Sequence, residues 1–363
     1  MNRPEILAFL LTLAAACSSA DGDETPEPRG GASGFPANLI YAAVEEDGTV
    51  AVVDQTTGAL LRTIDVSQTA HGAPLMFDVH NVQAAPDGRT VWLTAMPMHE
   101  SAHAGAVAEQ LIGIDVGSAR VRARIELGQD LHVAHVVIAG ETAYVTAFER
   151  DSVLVVDLEA RDVVRTLELP AGTNPHGARL SPDGHTLVVA GMGDGSMHSI
   201  DTDTGEVSSH ALPGRAVQAA VLPDGSAAFV TIYDTRQIAK LDLSTHSLDL
   251  FDLPRDSAGP AQLYPTADGR LWIADQGILD GNPVGHRLYR MNGADGSVER
   301  SVEVGEGPHG VVVDADGTRI WTTTVVAGDV QAIDAESGEV LSTTHVGRTP
   351  NGITCVHGQA AMP

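Results

Sequence analysis

Histidine returns at the same point of a repeated sequence unit. Residues 174–184 read NPHGARLSPDG and residues 307–317 read GPHGVVVDADG, so each places Pro-His-Gly before an apolar run and an Asp-Gly turn. Imidazole is the commonest neutral metal ligand near pH 7. If copies of the unit meet in the fold, His176 and His309 could share one site. The alternative is that each histidine only caps a strand and bonds to the backbone.

A second pattern lies between residues 94 and 111, where HESAH places His99 and His103 on either side of Glu100. On a helix, residues four apart share a face, so the two imidazoles could hold zinc with Glu100 as general base. A zinc protease also needs a framework helix and a third ligand, and the sequence shows neither. We therefore expect a metal-binding surface loop at this point.

These residues need a scaffold, and the chain repeats from about Leu39 with a period of about 45 residues, the length of a four-stranded propeller blade. Each copy holds short alternating runs bounded by Asp-Gly and Asp-x-x-Thr-Gly turns. Inner strands are predicted to begin near His80, His135, His176, Val217, Ala261, His309 and, in the last copy, Thr349.

The two ends of the repeat region complement each other. Leu39–Val66 contains three strands and lacks an inner one, whereas TPNGITC (349–355) is an inner strand with no outer strands after it. Pairing them closes the ring and removes free strand edges. The sequence therefore predicts an all-β, seven-bladed β-propeller over residues 37–357. Its ring is closed by the C-terminal inner strand pairing with the N-terminal blade.

In such a ring, the inner-strand starts and the loops between second and third strands share one face of the channel. Around the ring the inner-strand positions read His309, Asn351, His80, His135, His176, Val217 and Ala261, a polar arc opposite two apolar blades. We predict that this face binds a metal ion, a small ligand or a partner protein.

Copper and zinc suit imidazole and thioether donors better than magnesium or calcium. The predicted metal ligands are His80, His135, His176, His309, His99 and His103. Further ligand contacts are predicted from Asn351, His132, His198, Met96 and Met98, with loop packing as the alternative for the methionines.

The pattern PHG…PDG…LVVA…ID…TG resembles the YVTN-type repeats of YncE-like and surface-layer β-propellers, over about Leu39 to Cys355. The resemblance implies the fold and leaves function open, because such propellers include binding proteins, scaffolds and enzymes. Nitrous oxide reductase is similar in its inner-strand histidines, which hold a copper cluster, but no second copper domain follows here. Virginiamycin B lyase resembles the chain in TPNGIT and GRLWIADQG (269–277). That resemblance implies a propeller-face histidine with magnesium, a place that His309 or His286 could take.

The N-terminus predicts export. A mostly apolar run separates Arg3 from Cys17; it is too short to span a bilayer and is typical of a signal peptide. The small residues before Cys17 resemble a bacterial lipobox, so we predict a signal peptide (1–16), a lipid-modified Cys17 and a disordered tether (17–36). An ordinary secretory signal is the alternative. A lipidated chain would be an outer-membrane lipoprotein facing the periplasm or cell surface, touching membrane only through its lipid. Residues 358–363 form a predicted tail.

Composition and net charge narrow the possible functions and partners of the protein. A net charge of −27 repels phosphate backbones, which argues against nucleic acid as a partner. The sequence has no Gly-rich phosphate loop and no serine nucleophile elbow, and its second cysteine, Cys355, lies in an apolar strand pattern. We therefore predict a monomeric binding module. A metal-dependent lyase or lactonase on the same face, or a pure scaffold, are the alternatives. Whether the protein is an enzyme stays open, with Glu100 as the only candidate catalytic residue.

Overall fold

The computed structural model describes residues 38–70, 73–98 and 107–357. Several predictions from the sequence lie outside these ranges: the signal peptide, Cys17 and its tether, the His99–Glu100–His103 pattern, and the tail after His357.

Short antiparallel strands separated by tight turns make up the described chain. The first five strands are β1 (Asn38–Val44), β2 (Thr49–Asp54), β3 (Leu60–Asp65), β4 (Gln68–Ala70) and β5 (Ala73–Leu75). Strands β4 and β5 pair only with each other. All other strands belong to seven four-stranded sheets, which confirms the predicted seven-bladed β-propeller.

Six blades follow one another in chain order, and each runs from its inner to its outer strand. Blade 2 contains β6–β9 (Phe77–Ala84, Thr90–Pro97, Glu109–Asp115, Arg120–Gly128), and blade 3 contains β10–β13 (Val133–Ala139, Thr142–Ala147, Ser152–Asp157, Asp162–Glu168). Blade 4 contains β14–β17 (Pro175–Leu180, Thr186–Gly191, Ser196–Asp201, Val207–Ala211), and blade 5 contains β18–β21 (Ala216–Val221, Ala227–Ile232, Gln237–Asp242, Leu248–Asp252). Blade 6 contains β22–β25 (Pro260–Pro265, Arg270–Gly277, Val284–Asn292, Val298–Glu303), and blade 7 contains β26–β29 (Pro308–Val313, Arg319–Thr324, Asp329–Asp334, Val340–His345). Short 3-10 turns occur at Phe148–Arg150 and Leu279–Gly281.

Blade 1 joins the two ends of the ring as predicted. Its inner strand is β30 (Pro350–His357), which pairs antiparallel with β1, and β2 and β3 complete the sheet. The pairing places Tyr41 opposite Thr354 and Ile40 opposite Cys355. None of the helices in the described ranges is long and apolar enough to cross a membrane.

The predicted Asp-x-x-Thr-Gly turns form as their residues require. Asp54 Oδ1 accepts the amide of Thr57 at 2.7 Å, and Asp201 Oδ1 accepts the amide of Thr204 at the same distance. Gly58 closes its turn with φ of 73°, a conformation that glycine adopts without steric cost.

Apolar residues on the inner three strands of each blade pack against the neighbouring blades, and the outer strands carry the polar surface. Glycine after the repeated histidine allows the inner strands to come close together. A Cβ at Gly310 would lie 2.6 Å from the carbonyl oxygen of Asn351, and one at Gly177 would lie 2.6 Å from Gln218 Cα. The glycine of Pro-His-Gly is therefore a packing residue, and the histidine before it starts an inner strand at the channel.

Buried threonines on the second strands tie successive blades together near that channel. Thr146 Oγ1 accepts the amide of His135 at 2.9 Å and donates to the carbonyl of His176 in the next blade at 2.8 Å. Thr323 bonds the amide of Gly310 and the carbonyl of Asn351 in the same way. These bonds fix the backbone on which the candidate site is built.

Candidate functional site at one end of the channel

Three of the predicted histidines meet where their inner strands begin. The ring of His80 lies 5.5 Å from that of His176 and 6.4 Å from that of His309, measured between centroids. They come from blades 2, 4 and 7, so residues distant in sequence share one end of the channel. We call this the histidine end of the channel.

A carboxylate completes the histidine end. Glu45 follows β1 in the turn to β2, and its Oε1 lies 3.3 Å from His80 Nδ1. Asn351 Nδ2 donates to Glu45 Oε2 at 2.6 Å and lies 3.0 Å from His80 Nδ1. The side chains of His80 and Glu45 keep 17% and 24% of their exposure, so each is largely buried with a part of its surface open to solvent.

The pair is a strong electrostatic couple. Burial opposes the charge on Glu45, but the charge of His80 and hydrogen bonds from His80 and Asn351 outweigh it and lower the pKa of Glu45 to about 2. Burial also opposes a charged His80, and Glu45 again outweighs it, so the pKa of His80 is raised above 6.5. Glu45 therefore stays ionised and increases the basicity of His80.

The other two imidazoles are held neutral. Burial, reinforced by the charge of His80, lowers the pKa of His176 to about 4 and that of His309 to about 3. His176 Nδ1 contacts the carbonyl of Val217 at 2.8 Å. A carbonyl only accepts, so Nδ1 carries the proton and Nε2 keeps a lone pair. Both ring nitrogens of His309 are buried without a partner among the described residues.

His135 does not join this group, because the prediction placed it one position early. Its amide bonds Thr146 as the amide of Gly310 bonds Thr323, so Ala134 occupies the position of His309. The strand pairing itself is the same in both blades, with a register shift between Val133 and Val136 in blade 3 and between Pro308 and Val311 in blade 7. His135 instead contacts Arg179 further along the channel.

His132 lies beside the histidine end without being bonded into it. Its ring packs 5.2 Å from that of Phe148, and burial followed by the charge of His80 lowers its pKa. The backbone of Leu131, His132 and Val133 is anchored by Glu109, which accepts all three amides at 2.8 to 3.0 Å. Its ligand role stays a prediction.

Other predicted ligands have partners of their own. His198 is fully buried in blade 4, where Nδ1 contacts Ser209 Oγ at 2.8 Å and Nε2 contacts Ser196 Oγ at 2.5 Å. Met96 packs against the core between blades 2 and 3. Met98 lies beside the turn at Gly48, bonded through its amide to Met76. None of them shares a described contact with His80, and their ligand roles stay predictions.

Metal binding gains no geometric support. In residues 38–70, 73–98 and 107–357, no three His, Cys, Asp or Glu side chains are arranged to hold a metal ion. Burial raises the pKa of Cys355, as expected for a structural thiol.

Comparison with known proteins supports the fold. No protein-family model and no curated protein matches the chain. Among solved structures, the periplasmic gluconolactonase of Pseudomonas aeruginosa matches with a TM-score of 0.68 at 16% identity, covering 88% of this chain and 99% of that one. A putative 6-phosphogluconolactonase from Bacteroides fragilis matches with a TM-score of 0.66 at 12% identity, over 88% and 98%. Catalytically inactive virginiamycin B lyase from Staphylococcus aureus, solved with quinupristin, matches with a TM-score of 0.64 at 15% identity, over 80% and 95%. Such identities show a common fold, and the YVTN-type assignment stays a prediction.

Sequence reasoning missed two charged channel residues. Glu45 lies in VEEDG, a turn between second and third strands, so the rule that placed such loops on this face could have found it. Arg179 interrupts an inner strand that reads HGARL where blade 7 reads HGVVV. A cation at an otherwise apolar inner-strand position was the available signal.

Proposed function

We propose that the histidine end is the active site of an enzyme that performs acid–base chemistry on a small carbonyl compound, with lactone hydrolysis as its reaction. The observation that carries the proposal is the partly exposed Glu45–His80 pair, a basic imidazole oriented by a carboxylate beside two neutral imidazoles. An imidazole whose pKa is raised by a carboxylate partner is suited to act as a general base in proton transfer.

The groups at this end support each step of the reaction. His80 Nε2 takes a proton from water while the water oxygen attacks the lactone carbonyl carbon. Rotation of the neutral His309 ring would bring its buried N–H, which has no protein partner, to the developing oxyanion. When the ring C–O bond breaks, His80 returns its proton to the alkoxide leaving group, and the product is a hydroxy acid. Glu45 stabilises the imidazolium formed between the two transfers.

Proteins of similar fold support lactone hydrolysis as the reaction, but they also include a lyase. Two structural neighbours are described as a gluconolactonase and a putative 6-phosphogluconolactonase, and a third as a lyase. A lyase would use the same first step, with His80 removing a proton from carbon instead of water. The substrate panel for the test therefore contains lactones of several ring sizes together with cyclic depsipeptides.

The test compares His80→Asn with wild type in initial-rate hydrolysis of glucono-1,5-lactone and the panel, corrected for spontaneous opening. Asparagine keeps a nitrogen near the position of Nδ1, so Glu45 keeps a partner while the base is lost. We expect kcat/KM to fall by about 100-fold or more. His185→Asn, at an exposed histidine in the turn of blade 4, is the matched control and should retain full activity. Equal rates in both variants would refute the proposal.

A metal ion at the same end is the second candidate: the rings of His176 and His309 lie 5.5 and 6.4 Å from that of His80, although the described side chains would have to move to hold an ion together. Elemental analysis after offering Cu, Zn, Mg and Ca in turn tests it. About one equivalent of Cu or Zn, lost when His80, His176 and His309 are all replaced by alanine, would favour a metal-binding module. Hydrolysis unaffected by chelators, with no stoichiometric metal, would favour the acid–base enzyme.

We also propose that the protein is exported and anchored through a lipid on Cys17. The support is the lipobox-like sequence before that cysteine. Radiolabelled palmitate should enter the wild-type protein and not Cys17→Ser. Equal labelling would contradict lipidation at this residue.

A further inference from the structure

The opposite end of the channel contains a cavity of about 410 Å³. It lies where the inner strands of blades 2, 3 and 4 end and turn, lined by Gln83, residues 137–140 and residues 179–184. Because His80 and His176 begin the strands that end here, this cavity is separate from the histidine end. Its volume suits a small organic molecule.

Arg179 is the one positively charged side chain in that lining. Its Nη1 donates to the carbonyl of Ala178 and to His135 Nε2, each at 3.1 Å. In the part of the chain that the structure describes, no carboxylate pairs with this guanidinium, and Nε and Nη2 have no protein acceptor. The side-on edge of the guanidinium, which matches a carboxylate, is therefore free.

A partly buried cation without a counter-ion is costly, and burial lowers the pKa of Arg179 accordingly. His135 does not compensate the charge, since burial and Arg179 together hold it neutral. Asp183 also lines the cavity, but its carboxylate accepts the Ser181 hydroxyl at 2.6 Å and the His185 amide at 3.1 Å within its own turn. An anion bound from solution would supply the missing charge.

We propose that this cavity binds the carboxylate group of a small organic acid through the Nε–Nη2 edge of Arg179. A planar carboxylate fits that edge with two parallel hydrogen bonds. Apolar atoms of Val137 and Leu180 also line the cavity and can cover the organic part of the acid. A monoanion is repelled less than a phosphate dianion by a protein of net charge −27. This inference does not depend on catalysis at His80.

The probe is gluconate, with sorbitol as its neutral counterpart and inorganic phosphate as the competing anion, measured by titration calorimetry. We expect gluconate to bind, sorbitol to be inert and phosphate to bind more weakly. Arg179→Gln should weaken gluconate by about tenfold or more, since it removes the charge and the fork. Arg120→Gln, at an exposed arginine on an outer strand, is the matched control and should change nothing.

Two further variants keep the result decisive. His80→Asn must leave gluconate affinity unchanged, because a loss there would assign the binding to the histidine end and overturn the proposal. If Arg179→Gln does not fold, Arg179→Lys, which keeps the charge and loses the side-on fork, should still weaken gluconate several-fold. Absence of gluconate binding, unchanged affinity in the Arg179 variant that folds, or a preference for phosphate would each overturn the carboxylate site.

Discussion

The two ends of the channel are built from the same inner strands and treat charge in opposite ways. At the histidine end, Glu45 neutralises His80, and His176 and His309 are uncharged, so the end holds movable protons and little net charge. At the other end, Arg179 keeps a charge that no described carboxylate pairs. One propeller channel can therefore hold a proton-transfer site at one end of its inner strands and an anion-binding site only a few residues further along the same strands.

Substitutions of His80 and Arg179 should have large and separate effects, because the two residues lie at opposite ends of the channel. His80→Asn should lower kcat/KM by about 100-fold or more while gluconate affinity stays at the wild-type value. Arg179→Gln should do the reverse, weakening gluconate about tenfold and leaving kcat unchanged. Parallel rate and calorimetric measurements on both variants check this. If each variant damaged both properties, the two ends would act as one site.

Buried threonines such as Thr146 bond neighbouring blades together and so hold the histidine end in place. Thr146→Val keeps the side-chain shape but removes the hydroxyl that bonds the amide of His135 and the carbonyl of His176. Leaving buried backbone groups unpaired should lower the free energy of unfolding by about 1–3 kcal/mol. Denaturant titration measures it, with Thr56→Val, at a threonine in an exposed turn, as the control. If Thr146→Val lowered the free energy of unfolding by less than Thr56→Val does, the structural role of these threonines would be contradicted.

The third prediction concerns the cost of keeping His309 neutral. Its pKa of about 3 lies below the ordinary 6.5, so the unfolded state binds more protons between these values and stability falls as pH decreases through this range. His309→Leu removes this titrating group and should raise the free energy of unfolding by about 2 kcal/mol more at pH 5 than at pH 8. Activity should be lost at the same time. Thermal melts at pH 5 and pH 8 test this, and an equal change at both would contradict it.

Replacing Glu45 should have the smallest effect, a shift in the pH dependence of kcat/KM. Because Glu45 raises the pKa of His80, Glu45→Gln should move the rising limb of kcat/KM to lower pH while the plateau falls. A pH–rate profile measures it. Loss of activity with an unmoved inflection would show that Glu45 only supports the local structure.

The sequence was sufficient for the ring and for much of the histidine end. Alternating runs and Asp-Gly turns predicted seven blades, and the repeated Pro-His-Gly predicted His176 and His309. The position of His135 was wrong by one, because blade 3 lacks the Pro-His-Gly signal and its histidine stands where blade 7 has Gly310, while Ala134 stands at the position of His309. Glu45 lies in a turn, where no periodicity marks it, so only the position of that turn between the second and third strands of blade 1 could have placed it at the channel.

An NMR titration of the histidine side chains tests whether Glu45 makes His80 basic among neutral imidazoles. His80 should titrate above pH 6.5, while His176 and His309 should stay neutral until about pH 4 and about pH 3. Titration of all three together near pH 6.5 would contradict it.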